Sequence, residues 1–102
     1  METELKTRFQ VDNTPPQVAI SYPQAGQELS ITQEPKVALQ AQVNDPFLEK
    51  VEFYIDDIRV GTSDESPFGV IWQAFIGSHN LRVVAVDLAG NTATATITFS
   101  VK

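Results

Sequence analysis

One histidine, no cysteine and a scatter of carboxylates are what this 102-residue chain offers for chemistry. A nucleophilic or acid–base centre needs a cluster such as Ser, His and Asp, or two carboxylates apposed in a cleft. His79 has no Cys to pair with, and the Asp and Glu residues fall mostly at turns, where a carboxylate accepts from local backbone N–H groups. No catalytic residue is assigned, and the chain is expected not to be an enzyme. Calcium is a sharper alternative, because a hard cation takes several oxygens from Asp side chains and adjoining carbonyls. Asp45, Asp56, Asp57, Asp87 and Asn91 supply such oxygens near strand ends and are the calcium candidates, with Asn44 and Asp64 similarly placed. No dense Asp-x-Asp-x-Asp run occurs, and Asp87 to Asn91 alone reads as a hairpin turn, so turn capping is the default and no resident metal or cofactor is assigned. Sugar binding needs exposed rings in line on one sheet. Tyr54, Phe47 and Tyr22 are the candidates for glycan contact; Trp72, the single tryptophan, alternates with Phe68 and Val70 and is expected in the core near Phe53.

The elements that must carry these side chains are short β-strands. Val51-Glu52-Phe53-Tyr54-Ile55 alternates, with Val51, Phe53 and Ile55 inward and Glu52, Tyr54 and Asp56 outward. Asp56-Asp57 then favours a tight turn into Ile58 to Thr62. Lys36 to Val43 places Val37, Leu39, Ala41 and Val43 on one face. Gln17 to Tyr22 reads as a strand, Pro23 to Gly26 as a turn, and Gln27 to Ile31 as a short edge strand. Phe68 to Gln73 follows the polar loop Ser63 to Pro67, and Asn80 to Val86 follows Gly77-Ser78. Leu88-Ala89-Gly90-Asn91 turns the chain into Thr92 to Val101, where Ala93, Ala95, Ile97, Phe99 and Val101 share a face. About seven strands with regular turn signals and no helical period predict an all-β fold: an immunoglobulin-like antiparallel sandwich of two sheets, without a disulfide.

At 42% hydrophobic and 20% charged, the chain sits in the globular range, not the disordered one. Its length is one domain's worth, and such a chain buries about two-thirds of its unfolded surface, enough for a two-layer core. A net charge of −6 with scattered Lys and Arg excludes nucleic acid and an anionic membrane as partners. No apolar run is long enough for direct membrane insertion.

Several of these segments, taken in order, carry a resemblance. Asp12-Asn13-Thr14-Pro15-Pro16 stands at the entry and Val51 to Asp56 in mid-chain. Ser66-Pro67-Phe68, Trp72, Gly77-Ser78-His79-Asn80-Leu81 and Val84 to Asn91 follow. From about Asp12 to Lys102 the chain resembles the bacterial immunoglobulin-like domains appended to secreted and cell-surface proteins. The resemblance implies a sandwich without the antibody cysteine pair, used as a spacer or accessory unit beside glycoside hydrolases, peptidases, adhesins or penicillin-binding proteins. It also implies that the imidazole of the Gly-x-His element hydrogen-bonds a neighbouring loop.

Three domain segments follow. Residues 1–11, with Leu5, Phe9 and Val11 alternating, read as the remnant strand of a preceding domain or an N-terminal extension; residues 12–16 are a Pro-rich linker, and 17–102 the sandwich. The remnant strand is expected to dock on an edge or to pair two copies into a dimer. The leading reading is a non-catalytic, extracytoplasmic spacer module that orients neighbouring domains of a larger bacterial protein. The alternatives are a module that binds peptidoglycan or another polysaccharide, and a calcium-dependent adhesin-type repeat, since Asp12-Asn13 sits at a junction similar to cadherin-like linkers.

Overall fold

Alternating apolar residues bring two sheets face to face in the computed structural model, which describes residues 16–102. The strand expected over residues 5–11 lies outside the described residues. The described residues form eight strands, where the sequence predicts about seven: β1 (Gln17–Tyr22), β2 (Glu28–Leu29), β3 (Lys36–Asn44), β4 (Leu48–Ile55), β5 (Ile58–Ser63), β6 (Phe68–Gln73), β7 (Gly77–Asp87) and β8 (Thr92–Val101). One sheet has the order β1-β3-β6 and the other β2-β8-β7-β4-β5. The strands pair antiparallel apart from β2, which runs parallel to β8 in the register Glu28 to Ser100 and Leu29 to Val101. After β1 the chain changes sheet through the Ala25-Gly26 turn, where Gly26 takes a φ of 77° that favours glycine. It arrives beside β8 in the same direction. A strand of two residues is held by its flanks as well: Lys102 N donates to Leu29 O and Ile31 N to Lys102 O, both at 2.9 Å.

The core is the meeting of the two inner faces. Val37, Leu39 and Ala41 of β3 and Trp72 of β6 come from one sheet. Val51, Phe53 and Ile55 of β4, Leu81, Val83 and Ala85 of β7, and Phe99 and Val101 of β8 come from the other. Cross-strand pairs match shapes: Phe53 lies opposite Val83, Ile55 opposite Leu81, and Trp72 opposite Val37. β7 begins at Gly77, three residues earlier than its apolar pattern suggests, because Gly77 to His79 already pair with Val101 to Phe99.

This register sorts the turns to two ends. Gln17 pairs with Asn44 and Leu48 with Asp87, so the start of the sandwich, the β3–β4 turn and the β7–β8 turn share one pole. Ile55 pairs with Leu81 and Gly77 with Val101, so the β4–β5 turn, the β6–β7 loop and the end of β8 share the other.

Candidate functional site

The calcium candidates divide between those poles. At the first, Asp87 caps its own turn: Oδ1 accepts from Ala89 N at 3.0 Å and Asn91 N at 2.8 Å, and Oδ2 from the Asn91 side-chain amide at 3.1 Å. Asp87 is 3% exposed. Burial pushes its carboxyl up, but the hydrogen bonds from Asn91 and Ala89 outweigh that and hold it below the usual range. Asp45 comes from the adjoining β3–β4 turn, close enough to act on the ionisation of Asp87. Its Oδ1 accepts from Phe47 N at 2.8 Å, while its Oδ2 is buried without a hydrogen-bond partner. Leu88 N donates to Phe47 O at 2.8 Å and ties the two turns together. Asp45, Asp87 and Asn91 are thus neighbours, but the described residues contain no group of three or more His, Cys, Asp or Glu side chains able to hold a metal ion.

Asp56 and Asp57 sit a strand's length away, at the second pole. Both have positive φ, 52° and 69°, which is the geometry of a two-residue hairpin turn and is tolerated by Asp. The Asp57 carboxylate pairs with Arg82 at 3.3 Å on the surface. Asp56, its side chain 39% exposed, instead engages His79 Nδ1 at 2.7 Å and Asn80 N at 2.9 Å. Burial raises its carboxyl; the hydrogen bonds from His79 and from Asn80 N together bring it below the usual range. His79 is itself 3% exposed, and its Nε2 reaches the Phe75 carbonyl oxygen at 2.8 Å. The imidazole therefore does hydrogen-bond a neighbouring loop, and its second bond is to an aspartate 23 residues away in sequence.

The three ring candidates occupy three places. Tyr54 stands on the outer face of β4, with the Arg82 guanidinium 4.6 Å above its ring and its hydroxyl donating to Glu52 at 3.0 Å. Tyr22 ends β1 in the other sheet, partly buried, and its hydroxyl donates to the Glu34 carboxylate at 2.7 Å. Burial, followed by Glu34, raises the Tyr22 phenol above its ordinary range. Phe47, 44% exposed, sits in the β3–β4 turn. The three form no line on one sheet. Trp72 is buried as expected, ringed by Phe75, His79 and Phe99 at centroid distances of 5.0–5.7 Å.

Sequence reasoning passed over an apolar exposure, Phe75 and Ile76 in the β6–β7 loop, 55% and 67% exposed at the second pole. Their consecutive position after β6 was the available signal. Two shallow depressions also mark the outer face of the three-stranded sheet. One is lined by Gln17, Ala19, Gln42 and Asn44, the other by Ala38, Gln40, Gly69 and Ile71.

Comparison with solved structures finds the same architecture in parts of several longer chains. The chain is similar to the Clostridium thermocellum CbhA fibronectin(III)-like modules, with a TM-score of 0.76 and 22% identity over 86% of this chain and 47% of that one. It is similar to part of a modular endo-β-1,4-mannanase from Cellulomonas fimi, with a TM-score of 0.62 and 17% identity over 85% of this chain and 18% of that one. A third likeness is to Bacteroides ovatus SGBP-B of a mixed-linkage glucan utilization locus, in complex with a mixed-linkage heptasaccharide; the TM-score is 0.62 at 15% identity over 88% of this chain and 24% of that one. This chain spans less than half the length of each, and at these identities the likeness is one of fold. No curated protein matches the chain. The model of the bacterial Ig domain matches residues 16–101, nearly all of the sandwich, and the chain belongs to that family.

Proposed function

We propose that this domain is a non-catalytic, extracytoplasmic spacer that sets the distance and direction between neighbouring domains of a larger bacterial protein. The observation that carries the reading is the placement of the strand ends. β1 begins beside Asn44 at one pole, and β8 ends beside Gly77 at the other. A sandwich entered at one pole and left at the other converts chain into reach. The neighbours support it: the chain matches a fraction of longer chains, among them fibronectin(III)-like modules and a modular endo-β-1,4-mannanase. The candidate carboxylates are also engaged in closing turns or pairing with His79, as a structural unit requires.

The test uses the absence of cysteine. Cysteines introduced at Gln17 and Lys102, both exposed, take two spin labels, and their separation is measured by pulsed electron resonance. A single narrow distance is expected, unchanged by added glycans. The same protein is sedimented with insoluble peptidoglycan and a panel of insoluble polysaccharides, and it is expected to stay in solution. Pelleting that is lost on Tyr54→Ala would replace the spacer reading with the binding one. A broad distance distribution would remove the rigid geometry on which the spacer depends.

A further inference from the structure

His79 is almost fully buried, yet both of its ring nitrogens face groups that only accept hydrogen bonds. Nδ1 meets Asp56 Oδ2 at 2.7 Å, and Nε2 meets the Phe75 carbonyl oxygen at 2.8 Å. A backbone carbonyl has no proton to give. Asp56 is an ordinary carboxylate: its side chain is 39% exposed to water and its Oδ1 accepts from Asn80 N. A neutral imidazole carries one N–H and one lone pair. The tautomer protonated at Nδ1 aims its Nε2 lone pair at the Phe75 oxygen, and the other tautomer aims its Nδ1 lone pair at a carboxylate. Only the imidazolium satisfies both partners.

The surroundings fit a cation. The β4–β5 turn contributes the Asp56 carboxylate directly, and beyond it the Asp57–Arg82 ion pair, which balances itself. β6, the β6–β7 loop and β8 turn uncharged rings towards the imidazole: Trp72 at 5.0 Å, Phe75 at 4.5 Å and Phe99 at 5.7 Å between centroids. None of these rings carries a charge that would oppose a cation.

We propose that His79 is a buried imidazolium latch, tying the β4–β5 turn to the β6–β7 loop, and that loss of one ring proton releases the Phe75–Gly77 segment. When one proton leaves, the other stays on Nδ1, because a bond to a carboxylate is about twice as strong as one to a neutral carbonyl. The link to Phe75 is the one that breaks. The segment released is the one that displays Phe75 and Ile76, so a single proton controls how the apolar side chains of this pole are presented.

The experiment is a pH series of ring and backbone NMR spectra on the intact chain, uniformly labelled with nitrogen-15. Starting in mildly acidic buffer, both His79 ring nitrogens are expected to show N–H shifts in the folded protein. As the pH rises, Nε2 alone should move to the lone-pair range, together with the amide signals of Phe75, Ile76 and Gly77, while those of Val83 to Ala85 in mid-β7 stay fixed. In Asp56→Asn, which keeps an acceptor oxygen but loses the charge, the loop response should move to lower pH. A ring with one N–H throughout the range in which Asp56 is ionised would overturn the proposal. So would a ring titration that leaves Phe75 to Gly77 unmoved. Both of these readouts come from the wild-type protein and do not depend on whether the variant folds.

Discussion

Asp56 and Asp57 are adjacent, share a turn and do different work. Both sit at positive φ, where the Cβ of an L-residue crowds the following carbonyl; Asp tolerates this, and a β-branched residue is an outlier there. Asp57 is turned to solvent and holds only a surface pair with Arg82, a contact that contributes little. Asp57→Val is therefore expected to cost about 1–2 kcal/mol through the backbone alone. Asp57→Gly should stay within about 0.5 kcal/mol of the wild type. Urea midpoints for the two variants check this, and equal midpoints would mean that the turn geometry is wrong. The turn was legible in the sequence because its chemistry is local: two residues that tolerate positive φ between two alternating runs. The second use of Asp56 was not legible. Its partner His79 lies 23 residues on, and nothing in the residue types between them encodes that approach. Asp87 repeats the lesson, since its capping of Asn91 can be read from the spacing but the arrival of Asp45 from another turn cannot.

At the scale of elements, alternation located the strands and their inward faces, because each buried face repeats every second residue. It could not report what happens at edges. β2 is two residues long and parallel to β8, held by flanking backbone bonds that leave no hydrophobic pattern. β5 and β6 are edge strands of different sheets, and they meet at Gly61. A Cβ added there would lie 2.6 Å from Val70 Cγ1 and 2.9 Å from Val70 Cβ, so the missing side chain is what lets the two edges close. Gly61→Ala is expected to destabilise the fold by about 1–3 kcal/mol, the usual cost of forcing extra volume into a packed site. Pairing it with Val70→Ala should recover part of that loss, giving a favourable coupling of about 0.5–3 kcal/mol between the two sites. Additive effects in a double-mutant cycle would show that β5 and β6 do not touch there. In sequence Gly61 reads only as a weak point in a strand, and its partner is invisible until the sheets are stacked.

Over the whole molecule, a net charge of −6 sets two opposing responses to acid. Protonating exposed carboxylates relieves repulsion and favours the compact state. Glu52, Asp56 and Asp87 act the other way. Burial pushes each carboxyl up, and hydrogen bonds reverse it: from Tyr54 and Lys50 for Glu52, from His79 and Asn80 for Asp56, and from Asn91 and Ala89 for Asp87. A carboxyl held lower in the folded state contributes stability that is complete above the unfolded value of about 4 and is lost as pH falls through the folded one. Tyr22 has the opposite sign. Its phenol is raised by burial and by Glu34, so its contribution is complete below about 10 and is lost as the solution becomes more alkaline. Urea unfolding across the pH range should thus give a plateau with a steep fall on the acid side and a shallower one on the alkaline side. Glu52→Gln should flatten the acid fall without touching the alkaline one, and Tyr22→Phe should do the reverse. Variants whose curves merely run parallel to the wild type would show that these groups contribute packing, not proton linkage, to the fold.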